Sequence, residues 1–538
     1  MQGLMQEAPM TLAGVFRRAE RFWPTKRIVT AGRDGLTRTD VGSWAERTRR
    51  LGGALDRLGV SADGRVGTFA WNTARHLELY FAAPCTGRVL HTLNVRLFPD
   101  QLTYIVNHAD DEVIFADRSL LGLLWPLVGE MPKVRHVVVM DDGAGEVPDD
   151  PRILDYEELL ASAPSAAFDA VDDERRAAAM CYTSGTTGHP KGVVYTHRSV
   201  VLHSIAAMLA DSLAVSEADT VLPVVPMFHV NAWGLCQAAL MAGSDLVFPG
   251  SDLRPAAIAD LLVGERVTLA AGVPTIWMGV LGCLEGRDTS ALTRIVCGGS
   301  AVPKALSEAY RRRIGLPILQ AWGMTETSPL ASIARVRSEL ADRDDDELAE
   351  VRATQGLPVP LVELRITDPA TGEEQPWDGK ASGEIQVHGP WVASSYYDDP
   401  RSPDSFAPDG WLRTGDVATV SPEGYIRIVD RTKDVIKSGG EWISSVDLEN
   451  EIMGHPAVAE AAVIAVPSER WMERPVACVV RRPEAALSEE ELLAWLAPRV
   501  AKWWLPDQVL FIDEVPKTSV GKFSKRQLRD RFADLRLP

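Results

Sequence analysis

The segment CYTSGTTGHPKGVVYTHRS, residues 181–199, holds the densest run of groups suited to gripping phosphate. An apolar run closes at Tyr182, as a strand would. Thr183, Ser184, Gly185, Thr186, Thr187 and Gly188 then supply hydroxyls and two glycines ahead of Pro190, Lys191 and Gly192. Glycines let a backbone fold round a phosphate chain and bring its N–H groups close. Hydroxyls add donors, and a lysine neutralises charge as a flexible point cation. The order differs from the Walker loop, in which GxxxxGK runs directly into Ser or Thr. Composition alone fits a mobile Ser/Thr/Gly surface loop equally well. The flanking Tyr182 and the PKG continuation weigh the reading towards phosphate.

The elements that would position this loop alternate. Residues 44–60 carry apolar side chains at helical spacing, and 65–71 follow as a strand. Residues 76–94 read as a helix, a glycine break and a second strand, while 113–117 and 134–140 read as buried parallel strands. Such alternation predicts βαβ units in a doubly wound sheet. Acidic, Pro/Gly/Ala-rich connections occupy 141–153 and 162–178, and the acidic stretch 339–350 reads as a solvated helix or loop. A strand at 424–429 runs into the charged turn and glycine pair of DRTKDVIKSGG, residues 430–440. Beyond it, 446–469 read as helix then strand and 490–504 as another helix, forming a small α+β domain. The expected boundary divides 1–429 from 430–538.

Bulk properties exclude several classes. A chain of 538 residues with 46% hydrophobic and 24% charged residues is an ordinary globular protein of more than one domain. It shows no long uncharged apolar run and no basic, apolar leader at its start, so the expectation is a cytoplasmic protein with no membrane span. The six cysteines are scattered without a CxxC pair, which suits reduced thiols. The histidines lack the spacing of a protein-built transition-metal site. A formal net charge of −18 argues against nucleic acid as a partner but not against a nucleotide, which loops and backbone amides hold locally. The oligomeric state stays open, a homodimer included.

The loop TSGTTGHPKG is similar to the signature loop of the adenylate-forming superfamily of acyl-CoA synthetases, peptide-synthetase adenylation domains and luciferases. Further segments resemble that family's motifs in order: PMFHVNAWG (226–234), VCGGSAV (296–302), QAWGMTETSP (320–329), GEIQVHGP (383–390), WLRTGDV (411–417), DRTKDVIKSGGEWIS (430–444) and PKTSVGKFSK (516–525). The resemblance implies an α/β fold with a large N-terminal domain of two doubly wound sheets plus a small β-barrel, and a small mobile α+β C-terminal domain. It implies ATP, Mg²⁺ and CoA as cofactor and co-substrates, with a carboxylic acid as the other partner.

Residue by residue, the resemblance makes Asp416 the acceptor for the ribose hydroxyls, Glu326 the Mg²⁺ ligand and Thr325 an α-phosphate contact. One carboxylate is enough, because Mg²⁺ leaves most of its shell to water and phosphate. Trp322 flanks the adenine, and Ser300, Ala301, Ala321, Gly323, Ile428 and Arg431 complete the nucleotide site. Lys522, by base rate a solvated charge, becomes the cation between the attacking carboxylate and the α-phosphate, two anions whose approach is opposed electrostatically. Asp430 is the hinge. His229, Val230, Asn231, Trp233, Gly298, Gly299 and Met324 border the acyl pocket. Lys437, Ser438, Gly439, Gly440, Glu441, Trp442 and Trp471 face CoA. Two positions depart from many relatives: Met472 replaces a glycine, and Leu505 stands where some use an arginine against the CoA nucleotide.

Through residues 88–102 and 501–507 the likeness runs to medium-chain acyl-CoA synthetases and bacterial 3-methylmercaptopropionate–CoA ligases. A short or medium acid is expected, and sequence does not separate a thioether acid from a butyrate-like one. An amino-acid adenylation enzyme is disfavoured, since Val230, Asn231, Ala232 and Trp233 offer no aspartate for an ammonium. A luciferase-like oxygenase would share every adenylation motif. A non-catalytic nucleotide-binding relative would be expected to have lost Lys522, Glu326 or Asp416.

Overall fold

In the computed structural model the described residues are 1, 3–183, 189–369, 371–432, 434–438, 441–468, 470–483, 485–517 and 523–537. Two large sheets make up most of the N-terminal part. A seven-stranded sheet runs in the order Ile153–Asp155, His136–Met140, Asp111–Asp117, Arg65–Phe69, Val89–Thr92, Ala177–Tyr182, Gly192–Thr196. Its neighbours are parallel except the last pair, which is antiparallel. The candidate phosphate loop therefore joins the two arms of that pair. A nine-stranded sheet is parallel through its middle, from Ile318–Gly323 across to Arg27–Gly32, and antiparallel at both edges.

Apolar side chains from both sheets meet in one core. The helix Ala74–Cys85 lies within that core, and every residue from His76 to Cys85 is buried, Tyr80 and Phe81 among the largest. Its sequence shows little amphipathic contrast because no face meets water. Each such large apolar side chain contributes roughly 1.5–3 kcal/mol by leaving water. The amphipathic helix Val41–Arg57 is capped by Asp40, whose side chain accepts from the Ser43 N–H.

A third, smaller sheet has four antiparallel strands, Glu363–Thr367, Ser382–His388, Leu412–Val420 and Ile426–Arg431. The charged turn expected from residue 430 begins later, because Asp430 and Arg431 still pair with Val417 and Asp416. The C-terminal sheet combines the hairpin Ile436–Ser438 and Glu441–Ile443 with Met472–Arg481, Val458–Ser468 and the parallel strand Gln508–Phe511. The helix expected over 490–504 spans only Glu489–Leu496, and a short 3₁₀ turn, Lys502–Trp504, follows. Pro498, without an N–H, stops its continuation. Among the described residues no helix is long and apolar enough to cross a membrane.

Candidate functional site

The ends of the candidate phosphate loop are stitched together. Thr183 N–H donates to the Lys191 carbonyl at 2.9 Å, and Lys191 N–H donates to Thr183 Oγ1 at 3.1 Å. Ser184, Gly185, Thr186, Thr187 and Gly188 lie outside the described residues. The Lys191 ammonium donates to Ser405 Oγ at 3.1 Å and sits 4.3 Å from the centre of the Tyr396 ring. The Tyr396 hydroxyl in turn donates to Glu326 Oε1. Glu326 is 5% exposed, and its carbonyl accepts from Ala393 N–H at 2.7 Å. One tyrosine thus joins the loop's lysine to the carboxylate expected to hold a cation. Burial and the adjacent Glu326 charge push the Tyr396 phenol upward, so it stays a donor.

The 3₁₀ turn Thr325–Thr327 carries Glu326, and Tyr195 O–H donates to the Thr325 carbonyl at 2.8 Å. Just before it, Trp322 Nε1–H donates to Asp416 Oδ2 at 3.0 Å. The other Asp416 oxygen pairs with Arg431 Nε at 2.7 Å, directly across the ladder between their strands. Asp416 pulls the Arg431 guanidinium to a higher pKa, and Glu326 adds to the effect. Trp322, Asp416 and Arg431 are therefore one contacting group, with Glu326 close enough to be felt. Gly323 admits no side chain, since a Cβ there would lie 1.7 Å from the Pro329 carbonyl oxygen. Ala301 and Ile428 line a cleft of about 420 Å³ between the N-terminal sheets and the helix Ser445–Met453.

His229, half-buried, precedes an unusual turn. Val230, Asn231, Ala232 and Trp233 have φ of 46°, 49°, 50° and 58°, and Gly234 follows at 68°. A left-handed turn costs L-residues roughly 1–2 kcal/mol each, so surrounding contacts must enforce it. Asn231 is the anchor. Its Oδ1 accepts from the Cys181 thiol at 2.9 Å and from Thr92 Oγ1 at 3.3 Å. Burial raises Cys181 to about 11, which keeps it a thiol able to donate. The turn sets Trp233 beside Gly298, where a Cβ would lie 3.3 Å from Trp233 Cη2 and 2.6 Å from the Ala321 carbonyl oxygen. Gly299, at φ 83°, and exposed Ser300 continue that loop, while Met324 packs half-buried against the core.

On the C-terminal sheet, Lys437 is exposed and buried Ser438 accepts from Arg474 Nη1 at 3.1 Å. Glu441 and Trp442 pair with Ser438 and Lys437 across the hairpin. Gly439, Gly440 and Lys522 lie outside the described residues. Trp471 is 40% exposed under the Arg470 guanidinium, 4.7 Å from its ring. Met472 has φ 71°, which explains why glycine suits that position. Arg474 also binds the carbonyls of Trp503 and Leu505 and the Asp507 carboxylate, so it fixes the segment that lacks the expected arginine. Asp430 is 1% exposed; its Oδ2 accepts from Ser445 N–H at 3.0 Å and its Oδ1 from Arg431 N–H at 2.7 Å.

Sequence reasoning missed Tyr396, Ser405, Thr92 and Arg474. Tyr396, Ser405 and Arg474 fall outside the family-like segments named above, and Thr92 stands unremarked within 88–102, although the tyrosine pair 396–397 in a loop just past GEIQVHGP is a readable signal.

Residues 16–397 match the family described as AMP-binding enzyme, and residues 447–522 match the AMP-binding enzyme C-terminal domain. The chain belongs to the AMP-binding enzyme family. A member from Thermus thermophilus, "Long-chain-fatty-acid--CoA ligase", is 47% identical over 98% of this chain and 96% of its own length. The "3-methylmercaptopropionyl-CoA ligase" of Ruegeria lacuscaerulensis is 44% identical over 99% of both. The solved structure of ATP-bound MatB from Rhodopseudomonas palustris superposes with a TM-score of 0.83 at 28% identity, covering 97% of this chain and 99% of MatB. This AMP-binding enzyme thus shares nearly its whole length with named CoA ligases.

Proposed function

We propose that this AMP-binding enzyme is an acid–CoA ligase that makes acyl-CoA, AMP and pyrophosphate from ATP, CoA and a short- or medium-chain acid, with 3-methylmercaptopropionate as the favoured substrate. In the first step a carboxylate oxygen attacks the α-phosphorus, and the bond to the pyrophosphate oxygen breaks. In the second, the CoA sulfur attacks the acyl carbonyl, the thiol proton is lost, and AMP leaves. The contact of one guanidinium, Arg431, with the Asp416 carboxylate, close to Glu326, carries this reading. It gathers a ribose acceptor and a metal carboxylate about a single cation.

In this reading Asp416 accepts from the ribose hydroxyls, and Trp322, tied to it, flanks the adenine with Ala301 and Ile428. Lys191 and the 183–188 hydroxyls and amides hold the phosphates. Lys522 supplies the charge between the two anionic reactants, where it acts on the developing transition state. The residues fit Mg²⁺: Glu326 is a buried carboxylate with one oxygen held by Tyr396, and one such ligand suffices. When bound with the nucleotide, the ion neutralises phosphate charge. Residues 1–429 form the nucleotide- and acyl-binding domain and 430–538 a lid that turns about Asp430, bringing the 437–442 hairpin and Trp471 to the pantetheine arm. His229 and the turn behind it border the acyl channel, closed off by Trp233 against Gly298.

A medium-chain fatty acid is the alternative, favoured by the purely apolar demand of such a wall: a methylene there changes binding by only about 1–3 kcal/mol. The test is an acid panel, acetate to decanoate with aromatic acids and 3-methylmercaptopropionate, scored by kcat/KM for thioester formation and repeated with Lys522→Ala. A maximum at the thioether acid and a loss of roughly 10²-fold or more in the variant are expected. Equal rates for the two proteins, or a maximum at aromatic or longest acids, would contradict the assignment.

A further inference from the structure

Asp430 is buried in a cluster that meets the Trp322–Asp416–Arg431 group through the Arg431 N–H, which donates to Asp430 Oδ1 at 2.7 Å. Its Oδ2 accepts from Ser445 N–H at 3.0 Å and from the Ser445 hydroxyl. The Lys525 ammonium donates to that same Ser445 oxygen, pairs with Glu449 Oε1 at 2.8 Å and stands 4.0 Å from Asp430 Oδ1. Glu449 Oε1 also accepts from Val463 N–H at 2.7 Å, which roots the cluster in the C-terminal sheet. One turn further along the last helix, Arg529 grips Asp434 at 2.5 Å. The lysine side chain is 12% exposed, so this is no solvated surface pair.

The chain geometry gives the cluster its meaning. Asp430 is the next-to-last residue of the strand Ile426–Arg431, Ser445 and Glu449 lie on the first helix of the small domain, and Lys525 opens the final helix, Lys525–Arg531. Lys522 precedes Lys525 by three residues along the chain. We propose that Lys525 is a positioning residue that ties the hinge aspartate to the final helix, so that the angle taken at the hinge dictates where Lys522 is delivered. A lysine suits the task because its compact charge satisfies two buried carboxylates and a hydroxyl at once.

This rests on the assignment of Lys522 above, and it predicts a split between half-reactions. Lys522 acts in adenylation, whereas thioester transfer from a ready-made acyl-adenylate does not need it. Lys525→Met should therefore lower acid-dependent ATP–pyrophosphate exchange by about 10- to 100-fold, the effect of misplacing a catalytic group by an ångström or so. Thioester formation from supplied acyl-adenylate should stay within about twofold, and Lys525→Arg should restore most of the exchange. If Lys525→Met does not fold, Lys525→Met/Glu449→Gln, which removes the unpaired acid as well, takes its place in the same assays. A parallel fall in both half-reactions, or no fall in either, would overturn the inference. Lys522→Ala run alongside separates the causes: exchange surviving there refutes the assignment of Lys522, while exchange lost there but kept in Lys525→Met refutes only the link.

Discussion

Tyr396 offers the cleanest perturbation of the phosphate side. Tyr396→Phe deletes one hydroxyl and keeps the ring, so Lys191 retains the face it sits on at 4.3 Å. What is lost is the donor to Glu326 Oε1, on a carboxylate that is 5% exposed and has little water to replace it. A hydrogen bond to a charged group contributes about 1.5–3 kcal/mol, and its loss leaves the buried acceptor short of a partner. If that energy holds Glu326 in the orientation that receives the metal-bound nucleotide, kcat/KM for ATP falls by about 10- to 150-fold. The fall should be steepest at limiting Mg²⁺ and be read by pyrophosphate exchange across a magnesium titration. Transfer from supplied acyl-adenylate, which has no pyrophosphate, should be unaffected. An unchanged kcat/KM for ATP at every magnesium concentration would refute the role given to Tyr396, as would equal losses in both half-reactions.

Two further substitutions test the backbone and the buried charges. Met472→Gly should raise stability by about 1 kcal/mol, because φ 71° strains a side chain that is 66% exposed and contributes little packing; chemical denaturation of the two proteins measures it. Asp117, fully buried at the end of the strand Asp111–Asp117, is pushed up to about 7 by burial and then by Asp142, against the Trp71 N–H it accepts. A raised folded-state pKa gives stability that is complete below the usual carboxylate value and is lost as pH climbs through about 7. Asp117→Asn should therefore gain on the wild type by several kcal/mol, about 4 at most, between pH 4 and pH 8, read from urea midpoints. A constant difference across that range would contradict it.

The residues legible in the sequence are those whose neighbours are also polar or glycine. Asp416, Trp322, Glu326 and Lys191 stand in short motifs, and the structure places them within two linked groups. The βαβ alternation was readable because parallel strands buried on both faces leave continuous apolar runs. Tyr396 and Ser405 were not readable, because a tyrosine and a serine in an irregular loop gain meaning only from what the fold brings opposite them. Thr92 lies far along the chain from the Asn231 it holds, and nothing in its own strand marks it. The end of the strand Ile426–Arg431 was misjudged because Asp and Arg are typical of turns. Pairing with Val417 and Asp416 overrides that local preference.

Under the proposed placement of the acyl channel, the left-handed turn at 230–233 bears on any attempt to change the acid accepted. Its shape is not encoded in those four positions alone but lent to them by Thr92 and Cys181, from two strands of a different sheet. A segment transplanted from a relative without those lenders would relax towards the right-handed form and carry its indole elsewhere. Libraries built across this wall would then select for handedness before they select for substrate, and the strands beneath must be varied with it.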